Sequence, residues 1–499
     1  MDISFTHKTV PVYRELSRPV KRIQETAESV VPDTNEDIGR IASVHTAVLL
    51  KSKDLTSRGV SVTGEMEIVL LYITENENGV SFVRMKKDFG MEFELGQMQT
   101  DTLTQIRLTV GSTEARVLNP RKVAATVELI GELSCYRQEE MRVETLLPGS
   151  AEGLLHGRCE HGETTAVNAV CEKTFALNEQ YRFPEGKPEP VQLVSQEASF
   201  SVGEVQQVGS RVVVKGTLHV DVCYLSGEVD YPLAASFSSP FSQIVDTGAE
   251  VCEGCTVGFE LTSAYFDLVD TISGEKALDA EVHAVLQLVS RERKSVAYLS
   301  DVYCNRMPAE CSCQTLALSQ ISERQRVRLE GEGEIPVAED CEDVLCVFSS
   351  LAQLGLTDSS LGAAVGLDVI YRTKTGTLAA VRRLLEVEKA ALPPDSRLLA
   401  GRLDGVDLRP EGGSLRCRAF VEADYQSAAS REITDVTAVT LREEEAWRPE
   451  ELPTVTLVRP DTEDLWELAK RYHSSVEGIL ALNGEDGAAG DLLLIPREA

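Results

Sequence analysis

The chain has 499 residues, 42% of them apolar and 26% charged, the balance of a folded protein and not of a disordered one. Lys and Arg total 49 against 80 Asp and Glu, a net charge of −31. A surface this acidic repels phosphate backbones, which excludes nucleic acid as a natural partner and favours basic protein surfaces.

At this length several domains are expected. The opening stretch, MDISFTHKTVPVYRELSRPV, has no apolar h-region, so no secretory signal is expected. The longest strongly apolar run, Ile68 to Ile73, is too short to cross a bilayer. The expected compartment is therefore the cytosol. The 12 cysteines are read as reduced thiols, mostly small core residues.

The body of the chain reads as β throughout. Val60 to Tyr72 and Arg211 to Tyr224 alternate in polarity and are rich in β-branched residues. The two overlay without a gap at an offset of 152: Pro32 falls on Pro184, Ile41 on Leu193, Gly64 on Gly216 and Tyr72 on Tyr224. That register marks an internal repeat. A weaker third copy follows, with Ile335-Pro336, Glu342 to Val344 and Gly366 to Tyr371 as its matching points. Ser414 to Tyr425 again alternates.

Each copy is of domain size and follows one plan. A strand precedes an acidic, Pro-containing turn and a short apolar segment such as Ile38 to Val44. A long hairpin then turns at Asn76 to Gly79, Ser226-Gly227 or Lys374 to Gly376, and a final hairpin closes the copy. Short alternating strands with polar turns predict a mainly β fold of three tandem β-sandwich or open-barrel-like domains.

The expected division is residues 1–145, a linker at 146–170, then 171–310 and 311–441, an acidic Pro-containing linker at 442–453, and a terminal module at 454–499. In the last segment a strand-like run leads into two helical patterns. Leu465, Leu468, Ala469 and Tyr472 form one apolar stripe, and Val476, Ile479 and Leu480 a second. Ser474-x-x-Glu477 reads as a capping box, Asn483-Gly484 as a stop, and a strand follows to Ile495-Pro496. The expected unit is βααβ.

Few residues carry a chemical signature. Cys252-x-x-Cys255 is a lone CxxC, and a structural zinc site needs a second ligand pair. His156-Gly-Arg-Cys159-Glu-His161, Cys311-x-Cys313 and Cys341-x4-Cys346 offer further ligands at irregular spacing. These are read as buried thiols and a solvated loop. None of the 7 histidines sits in an HExxH frame, and no GxSxG, P-loop or GxGxxG lies at a strand-to-helix junction. No catalytic residue, metal or cofactor is expected.

The terminal module resembles a LysM domain, on Leu465-Trp466, Ala469, Tyr472, Val476, Leu480, Asn483, Gly490, Leu493 and Ile495-Pro496. The repeats are similar to SPOCS domains of endospore-forming Firmicutes, best over Val31 to Ile41. The whole order resembles that of clostridial spore-coat morphogenetic proteins. This resemblance implies a non-enzymatic scaffold in the mother-cell cytosol, at the forespore surface, docking a coat morphogenetic ATPase or another spore-coat protein. LysM kinship also implies an alternative ligand, peptidoglycan or another N-acetylglucosamine-containing glycan.

By the same resemblance the partner-binding loops hold Pro460, Asp461, Thr462, Glu463 and Asp464 on one side and Asn483, Gly490 and Asp491 on the other. Leu465, Leu468, Ala469, Tyr472, Val476, Leu480 and Ile495 are expected to form the module's core. The first loop lacks the Gly usual in LysM, and the second has Asp491 in place of the usual Gln. Residues 454–499 carry four basic and nine acidic side chains, which suits a basic protein patch better than a neutral glycan.

Overall fold

The structure, a computed structural model, describes residues 1–96, 101–149, 153–272, 274–337, 341–357, 359–411, 413–447, 453–459, 464–484 and 492–497. It is mainly β, with two short α-helices among the described residues.

After β1 (Asp2–Ser4) come β2 (Thr6–Ser17) and β3 (Val20–Val30), a meander of β4 (Ile38–Thr56), β5 (Gly59–Thr74) and β6 (Val80–Glu94), and a hairpin of β7 (Leu103–Asn119) and β8 (Lys122–Leu146). The order recurs with β9 (Leu155–Arg182), the meander β10 (Pro190–Val208), β11 (Arg211–Ser226) and β12 (Leu233–Asp246), and the hairpin β13 (Gly254–Asp270) and β14 (Lys276–Cys304). It recurs again with β15 (Ala309–Ile321) and β16 (Gln325–Pro336), the meander β17 (Cys341–Thr357), β18 (Ser360–Thr373) and β19 (Leu378–Ala391), and the hairpin β20 (Ser396–Glu411) and β21 (Ser414–Leu441). The chain closes with β22 (Val455–Val458), α1 (Leu465–Arg471), α2 (Val476–Asn483) and β23 (Leu493–Pro496).

In each recurrence the meander packs its apolar face on a second layer, in which the closing hairpin pairs with the preceding strand. The alternation of β8 shows why. Val123, Ala125, Val127, Leu129, Leu133 and Cys135 point one way and are almost wholly buried against Val62, Met66, Ile68 and Leu70 of β5.

The ladders repeat in detail. Bulges fall at Ile38/Arg40, Ile41/Ser43 and Leu50/Ser52 in the first meander, and at Pro190/Gln192, Leu193/Ser195 and Val202/Glu204 in the second, each 152 residues on. The third has bulges at Cys341/Asp343, Val344/Cys346 and Leu351/Gln353. The Tyr72 hydroxyl donates to the Glu36 carbonyl at 3.0 Å, and Tyr224 donates to the equivalent Pro188 carbonyl at 3.3 Å. Gly64 and Gly216 are required for the same reason. A Cβ there would meet the carbonyl oxygen of Leu49 or Ser201 at 2.3 or 2.2 Å, and the ring of Phe89 or Phe241.

The strands are longer than the short ones the sequence suggests: β9 and β21 run 28 residues and β14 runs 29. Each long hairpin strand serves two partners along its length. The first half of β8 pairs with β3 and its second half with β2, while β21 passes from β16 and β20 to β15. In the middle recurrence one unbroken strand, β9, pairs with β14 from end to end.

Residues 155–170 are therefore not a linker. The polar N-terminal half of β9 reads as loop by composition, yet His156 and Cys159 to His161 sit in its ladder with β14. The cysteines also differ from expectation. All 12 are free, but only Cys135, Cys223, Cys304, Cys346 and Cys417 are buried, and Cys159, Cys311 and Cys313 are exposed because they lie on outward strand positions.

Two junctions join the three recurrences. Ala42, Leu71 and Ile73 meet Val194 and Cys223 and also Cys346, Ile370 and Leu378 in one apolar cluster at the meanders. At the hairpin ends Asp435 of β21, wholly buried, accepts from Arg142 at 3.0 Å and Thr145 at 2.7 Å on β8, and from the Leu299 N–H on β14 at 3.1 Å. No helix among the described residues is long and apolar enough to cross a membrane.

Candidate functional site

Strands β22 and β23 pair antiparallel, and the two helices pack across them. Leu468, Ala469, Ile479, Leu493 and Ile495 are buried, with Leu465, Trp466, Tyr472 and Val476 partly buried around them. Leu480 lies outside this cluster and is half-buried; Ile479 takes the central place.

The helix starts are set by side-chain caps. Asp464 accepts from the Glu467 N–H at 2.9 Å, which closes the first turn of α1. For α2 the cap is Ser475, accepting from the Gly478 N–H at 2.9 Å, and not the expected Ser474. Helical geometry begins at Val476, one residue late for a box between Ser474 and Glu477. Ser474 is fully buried and its carbonyl is engaged by the body of the molecule.

Of the expected partner-binding residues, Pro460, Asp461, Thr462, Glu463, Gly490 and Asp491 lie outside the described residues. Asp464 and Asn483 are described, and both have structural roles. Asn483 donates to the carbonyls of Ile479 at 2.8 Å and Leu494 at 2.6 Å and accepts from the Leu494 N–H at 2.9 Å, pinning the end of α2 to β23. Asp464 caps α1 and also pairs with Arg158 of β9 at 2.9 Å. The Glu467 N–H, with the Arg158 guanidinium behind it, holds the Asp464 carboxyl below its ordinary range.

That contact is one of several that mount the module on the second recurrence. Asp301 of β14 accepts from the Trp466 indole N–H at 2.9 Å and from Lys470 at 2.7 Å. The Tyr303 hydroxyl donates to the Ser474 carbonyl at 2.9 Å, and its ring meets Trp466 edge-on at 4.9 Å and stacks on His156 at 5.1 Å. Trp447, in the segment read as a linker, donates its backbone N–H to the Arg306 carbonyl at 2.8 Å, and its ring lies 4.7 Å from the His473 ring. Sequence reasoning missed this mount. Its one legible signal is the polar–aromatic pair Asp301 and Tyr303 near the C-terminal end of β14.

A second feature lies between the recurrences, where a cavity of about 1580 Å³ is lined by equivalent strands of each: β4, β10 and β17, and β7, β13 and β20. Its polar groups stitch the walls together. Gln287 donates to the Ile106 carbonyl at 2.7 Å and accepts from its N–H at 2.8 Å. Arg107 donates to the Leu399 carbonyl. Glu260 accepts from the Leu108 N–H at 3.3 Å, and burial pushes its carboxyl up to about 8. Each of these side chains is matched to backbone of a neighbouring recurrence, an arrangement suited to joining sheets.

Comparison of the chain with family profiles, curated proteins and solved structures finds no match.

Proposed function

We propose that the chain is a non-enzymatic scaffold of endospore coat assembly. In this reading the three recurrences are tandem SPOCS-like β-sandwich domains and residues 454–499 are a LysM-like module. The module docks a coat morphogenetic ATPase at the forespore surface, in the mother-cell cytosol.

One observation carries the choice of a protein partner over a glycan. Both tryptophans of the chain are committed to internal contacts: Trp466 to Asp301 and Tyr303, Trp447 to His473. The Trp466 indole is thereby engaged by the mount through its N–H and its contact with Tyr303, while Trp447, outside the module, keeps 37% of its surface exposed. What the module offers instead is acidity, with a net −5 over residues 454–499 from four basic and nine acidic side chains. A net acidic module is complementary to a basic patch on a protein.

The test uses the full chain. Asp461→Asn with Glu463→Gln is expected to weaken binding of the purified coat ATPase by about tenfold, the effect of losing two charges at a complementary surface. Unchanged affinity would contradict the assignment of this loop to docking.

A further inference from the structure

Cys252 and Cys255 lie at the margin of the central cavity, whose lining includes Cys255. Their sulfurs are 2.8 Å apart, at the start of β13 and both half-buried. Gly254 and Cys255 pair across the ladder with Arg291 and Ser290 of β14. Two features of those partners are unusual. Arg291 is 6% exposed and has no carboxylate within salt-bridge distance among the described residues; one of its nitrogens donates to Thr256 at 2.6 Å, while its buried Nε has no partner. Ser290 is wholly buried, and its hydroxyl acts on both thiols, favouring their ionised forms. A buried guanidinium without a counter-charge is costly; its charge acts on the Cys255 thiol, while the Arg291 backbone hydrogen-bonds the Cys252 sulfur and helps to hold that thiol down.

We infer that Cys252 and Cys255 form a redox-active dithiol that exchanges with low-molecular-weight disulfides of the glutathione class. The S–H of Cys255, shared with Cys252, holds the Cys252 thiol below its ordinary value and pushes Cys255 up, which assigns Cys252 as the attacking sulfur. The Cys252 thiolate attacks one sulfur of RSSR; a Cys252–SR bond forms and RS⁻ leaves, taking a proton. Cys255 then loses its proton and attacks the Cys252 sulfur, expelling the second RS⁻, which is protonated in turn. The dithiol is oxidised, RSSR is reduced to two RSH, and the two protein protons account for both products. A cavity of about 300 Å³, lined by Gly254, Cys255, Arg291 and Arg324, opens on the Cys255 side of the pair. Thr256, which takes the Arg291 hydrogen bond, also donates to Gln426 of β21 at 3.4 Å, so the dithiol borders the junction with the third recurrence.

The full chain, reduced and then equilibrated with glutathione and glutathione disulfide, is quenched in acid, alkylated and read peptide by peptide by mass spectrometry. The peptide holding both cysteines is expected to become two hydrogens lighter. Cys255→Ser is expected to accumulate a glutathione adduct on Cys252, and Cys252→Ser to give at least tenfold less adduct on Cys255. Arg291→Gln is expected to slow the reaction; should it not fold, the two near-isosteric cysteine variants suffice. The inference is overturned if the pair stays reduced while the exposed Cys159 is glutathionylated in the same sample, or if both single variants form adducts equally.

Discussion

Asp435 and Arg142 are 293 residues apart in sequence, and their side chains meet at 3.0 Å with Asp435 wholly buried. The same carboxylate takes the Thr145 hydroxyl and the Leu299 N–H, so one residue ties β8, β14 and β21 together. Removing it leaves a guanidinium, a hydroxyl and an amide without their acceptor. Asp435→Ala is expected to cost about 3–5 kcal/mol, the range for breaking a buried ion pair from one side. Urea denaturation followed by tryptophan fluorescence and by circular dichroism measures it. A midpoint within error of the parent would remove Asp435 from this role.

The glycines at the meander centres discriminate between recurrences. A Cβ at Gly64 or Gly216 meets a carbonyl oxygen at 2.3 or 2.2 Å, whereas at Gly366 the nearest atom is the Ser350 hydroxyl at 3.1 Å. Gly64→Ala and Gly216→Ala should each destabilise by about 1–3 kcal/mol through overpacking, and Gly366→Ala by clearly less. Equal losses at all three positions, read as urea midpoints, would show that the backbone yields where the close approach forbids it.

Glu260 gives a pH dependence with a defined sign. Its folded carboxyl is pushed up to about 8 by burial, above the ordinary glutamate value near 4.5. Between those values the folded chain holds a proton that the unfolded chain releases, so raising the pH destabilises the fold until the folded group has also ionised. Glu260→Gln, which keeps an acceptor for the Leu108 N–H, should remove this loss. The variant should gain on the parent as pH rises from about 4.5 to 8, by an amount on the order of a few kcal/mol, and stay level above that. Parallel stability–pH curves for the two proteins would contradict the burial of an ionisable Glu260.

The terminal module should loosen without unfolding the body. Asp301→Ala removes the acceptor of Trp466 and Lys470, and Tyr303→Phe removes the bond to the Ser474 carbonyl. Each lost bond is expected to cost about 0.5–1.5 kcal/mol, or somewhat more for the charged Lys470 contact. Amide hydrogen exchange should rise in α1 and α2 and remain unchanged in the buried strands of the first recurrence. Uniform exchange across parent and variants would mean that these contacts do not hold the module.

Much of this architecture was legible in the chain. The offset of 152 that places Gly64 on Gly216 and Tyr72 on Tyr224 also places the bulges and the tyrosine hydrogen bonds. Equal spacing of a tight glycine and its facing phenylalanine constrains the ladder on both sides, so it survives in sequence. The polar half of β9 was not legible, because a strand paired mainly for its backbone needs no apolar run; composition made it a linker. The Asp435 junction and the Asp301 mount were hidden for another reason. Each depends on residues from distant strands whose individual identities are ordinary, and only tertiary pairing gives them meaning. Asp464 and Asn483, which the LysM resemblance places in partner-binding loops, have their side chains engaged in a cap, an ion pair and a strand tie.

The most direct test of the scaffold reading is one titration with two ligands. The full chain is titrated by calorimetry with the purified coat morphogenetic ATPase and, separately, with N-acetylglucosamine oligomers. The account predicts a saturable complex with the ATPase at a micromolar or lower dissociation constant, and millimolar or no binding of the oligomers. Tight binding of the oligomers with no heat from the ATPase would contradict it and make the module a glycan receptor.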